Sequence, residues 1–225
     1  MARRTKQDAQ ATRDHLLDTA ERVFLERGVS RTSLHDLAAA AGVTRGAIYW
    51  HFHDKADLFN AMMNRVSLPM EEALERSAEP SVDALAQLRA SLVGVLEKLV
   101  ADPQVHRVFE IAMHKVEYVD EMSEVRKRHL SVRNDCMASV TRALGTAMDQ
   151  GQIARRMLPA DAAIGLHALI DGLIQNWILD PLAFDLRQVG EQVLDAYLRG
   201  MAPLPSVLGT ELASSSCSRQ CSRTP

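Results

Sequence analysis

Residues 32 to 52, TSLHDLAAAAGVTRGAIYWHF, contain two short helical patterns on either side of a glycine. Thr32 or Ser33 can accept the free N–H groups of a first helical turn, and Asp36 stands where a capping-box acid would. Apolar residues follow at helical spacing at Leu34, Leu37, Ala38 and Ala41. Gly42 ends the first pattern, and Thr44 can cap the second, TRGAIYWHF. Two short helices joined by a glycine-containing turn predict a helix-turn-helix.

The segments on either side are also helical. Upstream, ATRDHLLDTAERVFLERGV at residues 11 to 29 has an apolar stripe and a stop at Gly28, and downstream Asp54 opens another helix. Pro69 and Pro80 predict breaks. Further helical patterns cover residues 82–101, 104–115, 121–151, 160–180 and 187–200. With no convincing alternating strand, the sequence predicts an all-α fold.

The patterns divide the chain unequally. Residues 1–55 form the predicted N-terminal three-helix DNA-binding unit, residues 56–203 a larger helical domain, and residues 204–225 a Ser-rich tail that we expect to be disordered. Residues 1–55 hold nine Lys and Arg against seven acids, whereas the whole chain has a net charge of −3. A polyanionic partner should therefore meet the N-terminal end.

Composition limits the other classes of protein. With 47% hydrophobic residues the 225-residue chain can bury a core, and no secretory signal or uninterrupted apolar run of membrane-spanning length occurs. We therefore predict a cytoplasmic protein with no membrane partner. Three cysteines are too few for a disulfide framework: Cys136 suits a buried site, and Cys217 and Cys221 lie in the tail. No phosphate loop, zinc motif or dinucleotide fingerprint predicts a metal or cofactor.

The second short helix has the composition of a major-groove reader. Gly46 and Ala47 are small enough for close approach, and Arg45 can contact a guanine edge. Tyr49, Trp50 and His51 combine aromatic bodies with polar tips that suit phosphates and thymine methyls. The anchoring positions and the charged start of the next helix complete the prediction: Ile48, Phe52 and Lys55. An aromatic core helix and a zinc site at His51-x-His53 are the weaker alternatives.

The span from Thr12 to Phe59 resembles the DNA-binding domain of the TetR family of transcriptional repressors. It matches in the turns at Gly28 and Gly42, in the aromatic-His-Phe cluster of VTRGAIYWHF and at the Lys55 position. Within that family it is similar to the AcrR-like group, whose members commonly repress multidrug efflux pump genes. The resemblance implies a DNA surface with Arg45 on a base and Tyr49 and His51 on phosphates. For the basic arm of Arg3, Arg4 and Lys6, contact with DNA and disorder without contact are the two alternatives. The predicted contact set is Thr32, Ser33, Thr44, Arg45, Gly46, Ala47, Tyr49, Trp50, His51 and Lys55.

The same resemblance implies that the larger part holds a homodimer interface and a ligand cavity. In the family the last two helices pair with their copies in a four-helix bundle. Residues 160–200 would form that interface through Leu166, Ile170, Leu173 and Trp177 on one helix and Val189, Val193 and Tyr197 on the other. Burial of these residues inside one chain is the alternative.

A cavity for a lipophilic or aromatic inducer should be apolar with a few placed polar groups. Asp171, one turn before Gln175 within apolar sequence, is the clearest such group. The predicted ligand-binding set is Leu92, Val95, Phe109, Glu110, Met113, His114, Cys136, Val140, Asp171, Ile174 and Gln175.

The expected function is that of a dimeric repressor which binds a pseudo-palindromic operator and is released by small lipophilic molecules, controlling an efflux pump operon. A regulator of metabolic genes with a narrower ligand, or an activator, is the nearer alternative. An enzyme that uses Asp171, His114 or Glu110 as acid-base groups in the cavity is the remote one.

Overall fold

The computed structural model of the chain describes residues 6–79, 82–117 and 120–203. Within these ranges it is built from α-helices, one short 3₁₀ helix and connecting turns, without a strand, which confirms the predicted all-α fold. The helices are α1 (Lys6–Arg27), α2 (Leu34–Ala40), α3 (Arg45–His51), α4 (Lys55–Arg76), α5 (Ala84–Ala101), α6 (Pro103–His114), α7 (Ser123–Asp149), α8 (Pro159–Leu179) and α9 (Leu186–Gly200). The predicted contacts of Arg3 and Arg4, and the predictions for Cys217, Cys221 and the tail from residue 204, fall outside the described residues.

Helices α1 to α3 form the predicted helix-turn-helix unit. The Ser33 hydroxyl accepts the Asp36 N–H, and the Asp36 carboxylate accepts the Ser33 N–H in return, so the capping box at the start of α2 is present. Gly28 and Gly42 have φ angles of 83° and 66°, which favour glycine after α1 and α2. Both glycine stop signals therefore coincide with the ends of α1 and α2.

Helix α4 corrects the prediction of a break at Pro69, because it runs through that residue to Arg76. A proline inside a helix removes one N–H donor and crowds the preceding turn. Here Val66 and Leu74, before and after the proline, are both buried, whereas Pro69 itself faces outward. Tertiary packing on both sides of Pro69 thus holds the helix together. As a result, one continuous helix leaves the N-terminal unit and enters the larger part of the molecule.

In the larger part, α8 packs against α6, α7 and α9, and α5 packs against α9. Two glycines allow close approach: a Cβ on Gly190 would meet the Leu96 side chain, and a Cβ on Gly165 would meet the Tyr197 hydroxyl. The Tyr197 hydroxyl donates a hydrogen bond to the Ala162 carbonyl at 2.8 Å, which ties α9 to α8.

The predicted interface stripe on α8 is wrong in its choice of face. Leu166, Ile170 and Trp177 are buried inside the single chain, and the Trp177 ring lies 4.9 Å from that of His106 on α6. Among the described helices, α8 is long and apolar enough to cross a membrane by length and composition alone. Its inward face is accounted for by packing against neighbouring helices, and apolar residues remain on its outward face.

Candidate nucleic-acid interface and ligand cavity

Helix α3 presents one face to the core and the other to solvent. Ile48 within the helix and Phe52 at its C-terminal cap are buried, as predicted for its anchors. On the outer face, Tyr49 is 47% exposed and Trp50 is 71% exposed. Large aromatic side chains at such exposure are unusual in a chain with only 4% aromatic residues. An outward aromatic face on an anchored short helix is a candidate contact surface.

The polar groups of this face are arranged around the start of α3. The Ala47 N–H donates to the Thr44 hydroxyl at 3.2 Å, so Thr44 is the N-cap. The Arg45 guanidinium lies 5.5 Å from the centre of the Tyr49 ring, a cation–π distance. The rings of Trp50 and His51 meet edge to face at 4.6 Å. Arg45, Tyr49 and Trp50 thus share one exposed surface.

Two predicted DNA contacts are corrected by burial. Thr32 is buried, and its hydroxyl donates to the Gly28 carbonyl at 2.8 Å, so it supports the turn between α1 and α2. Lys55 is only 5% exposed, so its side chain belongs to the interior of the free chain. The Asp54 carboxylate caps the start of α4 by accepting the Asp57 N–H at 2.8 Å, which places a negative charge where a phosphate was expected. Ser33 remains on the surface as the cap of α2.

A cavity of about 380 Å³ lies among α4, α5, α6, α7 and α8. Its volume falls within the range of about 300–1,000 Å³ that is usual for small-molecule sites. The predicted residues that line it are Leu92, Val95, Phe109, Met113, Cys136, Val140, Asp171 and Ile174. The lining does not include Glu110, His114 or Gln175, although Gln175 donates to the Asp171 carboxylate at 3.1 Å. The three acid-base groups of the enzyme alternative are therefore not brought together.

The cavity also contains a polar cluster that the sequence did not reveal, formed by Arg128 of α7 with Asn64 and Glu71 of α4. The guanidinium donates to Asn64 Oδ1 at 3.0 and 3.2 Å and to the two Glu71 oxygens at 3.1 and 3.2 Å. The available signal was register alone, since Arg128 follows Val125 by three residues and precedes Val132 by four. Surrounded by charged neighbours, Arg128 reads as a surface residue in the sequence.

Burial controls the protonation of Cys136 in the cavity wall. Loss of solvent raises the pKa of the Cys136 thiol to about 11, and the nearby Glu71 carboxylate acts in the same direction. Thiolates are the reactive form of cysteine. The half-buried Cys136 is therefore present mainly as the less reactive thiol at neutral pH.

A buried carboxylate joins the N-terminal unit to the helices of the cavity. Glu21 of α1 accepts a hydrogen bond from the Gln104 side chain of α6 at 2.7 Å. Its oxygens lie 3.6 Å from an Arg65 nitrogen on α4 and 3.7 Å from an Arg107 nitrogen on α6. Desolvation raises the pKa of Glu21, opposed by these three partners. We call these four residues the Glu21 junction.

An exposed, anchored recognition helix, an apolar cavity and a continuous α4 that reaches both define a class: the ligand-responsive, helix-turn-helix transcriptional regulators. The chain matches the family described as bacterial regulatory proteins, tetR family, over residues 16–62. It also matches the C-terminal region of MAATS-type transcriptional repressors over residues 83–203. The chain belongs to the TetR family.

Its relatives include efflux pump repressors. The transcriptional regulator AcrR of Shigella flexneri is 45% identical over 194 residues, covering 84% of this chain and 88% of AcrR. NalD, the secondary repressor of the MexAB-OprM multidrug efflux pump in Pseudomonas aeruginosa, is 37% identical with a TM-score of 0.81, covering 88% of this chain and 98% of NalD. SmeT, repressor of the Stenotrophomonas maltophilia pump SmeDEF, was solved with triclosan; it is 32% identical with a TM-score of 0.78, covering 90% of this chain and 99% of SmeT.

Proposed function

We propose that this chain is a cytoplasmic, homodimeric repressor of a multidrug efflux pump operon, released from its operator by a lipophilic ligand. The observation that carries the proposal is the shared helix: α4 starts beside the DNA-facing unit and then lines the cavity. The similarity to AcrR and NalD over nearly the whole chain supports the regulated gene class. The complex of SmeT with triclosan supports a lipophilic ligand.

For DNA, we propose residues 1–55 as the binding unit and α3 as the recognition helix. Arg45 reads a guanine edge, Tyr49, Trp50 and His51 meet phosphates or thymine methyls, and Gly46 lets the backbone approach. Ser33, Thr44 and Ala47 complete the surface at the starts of α2 and α3. Lys55 and Thr32 support this unit from the inside, since both side chains are buried.

For the dimer, we propose the outward face of α8 instead of the buried stripe predicted from sequence. Ile164, Ala168, Gln175 and Leu179 are exposed at spacings of four, seven and four residues, so they form one continuous stripe, the open face of α8. On α9, the half-buried Val189 and Val193 add apolar surface. An isologous pairing of these faces would form a four-helix bundle and place two α3 helices on half-sites about 34 Å apart.

For induction, we propose that the ligand favours a conformation in which α4 and α6 shift relative to α1. Both helices line the cavity, and both hold the same carboxylate of α1 in the Glu21 junction. A ligand changes DNA affinity only through its differential affinity for the two conformations, typically about 1–3 kcal/mol of coupling.

The test is binding of the purified protein to the DNA upstream of its own gene, at several salt concentrations and with a panel of lipophilic antibiotics, phenols and dyes. Tight, salt-sensitive binding that some compounds release is expected. Tight binding that none of them releases would refute the drug-responsive role and favour a regulator with a narrower, metabolic ligand. Absence of specific DNA binding would refute the proposal as a whole.

A further inference from the structure

The two arginines of the cavity lining both lie on α7, whereas its two carboxylates lie on other helices. Helix α7 contributes Arg128 and Arg133 together with His129, and the acidic lining residues are Glu71 on α4 and Asp171 on α8. Glu71 is paired with Arg128, and Asp171 accepts a hydrogen bond from Gln175. A ligand that lies against α7 therefore meets donors and positive potential.

The Arg128 guanidinium is held in place, but one of its nitrogens has no hydrogen-bond acceptor among the described residues. Its Nε and Nη2 atoms donate to Asn64 and Glu71. None of the described residues accepts a hydrogen bond from its third nitrogen, Nη1. The Arg128 and Glu71 side chains are only 26% and 23% exposed, so this donor is partly removed from water. A partly desolvated donor gains more from a charged acceptor than a fully hydrated one does.

We infer that the cavity selects lipophilic ligands that carry an acidic group, such as a carboxylate, sulfonate or phenolate. Arg128 binds that group, and Asn64 and Glu71 hold the Arg128 guanidinium in position. This inference rests on the proposed role of the cavity as the inducer site and names its ligand class. The apolar body of the ligand contacts the remaining walls, among them Phe109, Met113 and Ile174. Pre-orientation matters because an arginine fixed by two partners loses less conformational freedom on binding.

Two fluorescent probes with the same ring system isolate the contribution of the acidic group to binding. The first is 1-anilinonaphthalene-8-sulfonate, and the second is N-phenyl-1-naphthylamine, which lacks the sulfonate. Dissociation constants of both are measured on the full chain, and mutual competition establishes that they share a site. The variant Arg128→Met keeps the aliphatic stem and removes the donors. It should weaken the sulfonate by about ten- to hundredfold, the value of a charge-assisted hydrogen bond, while the neutral probe changes little.

Two further variants make the result specific to Arg128. Arg133→Met removes an exposed charge from the same helix and the same cavity lining, so the sulfonate should weaken less than with Arg128→Met. Glu71→Gln removes the competing negative charge, so the sulfonate should bind more tightly than to the wild type. Circular dichroism melting confirms that each variant is folded.

The outcomes separate this inference from the proposed function. Equal effects of Arg128→Met on both probes, or an equal loss with Arg133→Met, overturn the assignment of Arg128 while a lipophilic cavity remains. Tighter binding of a cationic naphthylalkylamine than of the sulfonate also overturns it and assigns ligand binding to a carboxylate of the lining, Glu71 or Asp171. If neither naphthalene probe binds, both the acidic-ligand inference and the proposed cavity role fail.

Discussion

If the open face of α8 is the dimer interface, a single substitution in it should dissociate the dimer. Ile164, the first residue of this face, is a large aliphatic side chain, and it is 59% exposed in the single chain. If the partner subunit covers it, Ile164→Asp should turn a dimer into monomers at concentrations where the wild type is fully dimeric. The chain itself should stay folded, because the buried stripe on the opposite side of α8 is unchanged.

The magnitude follows from the exposed fraction. Complete burial of an isoleucine side chain is worth about 1.5–3 kcal/mol. The 59% that remains exposed thus corresponds to about 1.3 kcal/mol per subunit, and an isologous contact counts it twice, giving about 2.6 kcal/mol per dimer. At 1.4 kcal/mol per factor of ten, the dimer dissociation constant should rise by about hundredfold. Each introduced carboxylate would also lose its hydration on burial, which makes this a lower bound.

The assay is sedimentation velocity over a dilution series, with operator binding measured in parallel. Val100→Asp is the matched control: Val100 is 48% exposed but lies on α5, away from the open face of α8. The control should keep the wild-type dissociation constant. A dimer that survives Ile164→Asp unchanged would refute the reasoning, as would an equal effect of Val100→Asp.

Three further predictions concern DNA reading, pH and packing. Arg45→Ala should cost about 1–3 kcal/mol at a single base pair in competition binding to operator variants, and an equal loss on random DNA would contradict its base-reading role. Glu21→Gln should raise the free energy of unfolding in urea at neutral pH. Burial raises the pKa of Glu21 in the folded chain, so its ionisation above that pKa costs stability that glutamine does not lose. Below the ordinary value of 4.5, where Glu21 is protonated in both states, the gain in stability should vanish. No gain at neutral pH would mean that the ion pairs outweigh desolvation. Gly190→Ala should lower the melting temperature, since its Cβ would overlap Leu96 at a cost of about 1–3 kcal/mol. Gly94→Ala, with open space around it, should be neutral or stabilising by up to about 1 kcal/mol, and equal shifts in melting temperature would show that Leu96 is not the cause.

The parts of the fold that could be predicted are those with local causes. The capping box of Ser33 and Asp36 and the turn at Gly42 are each specified within a few residues of sequence. The interiors of the helices follow from apolar spacing. Pro69 shows the limit of that logic, because whether a proline interrupts a helix depends on what packs against the turns on either side of it.

The candidate site was predictable in its apolar walls and not in its polar interior. Leu92, Phe109 and Ile174 belong to apolar helical faces, and such faces point inward in any helical bundle. Arg128 and Glu71 are 57 residues apart in the chain, and one sequence gives no pattern for such a contact. The interface stripe predicted on α8 was wrong for a related reason: this helix has apolar residues on both sides, and periodicity does not show which side a partner covers.

The Glu21 junction suggests why the N-terminal unit is joined to the cavity helices by charge as well as by packing. Purely apolar contacts between close-packed helices resist small displacements, because interiors are dense and poorly compressible. Arg65 and Arg107 are 27% and 44% exposed, so water can replace Glu21 as their partner when a helix shifts. A carboxylate whose pKa is already raised by burial loses little when its surroundings open. Such a junction is specific in one arrangement and inexpensive to rearrange, which is the property that the proposed shift of α4 and α6 against α1 requires.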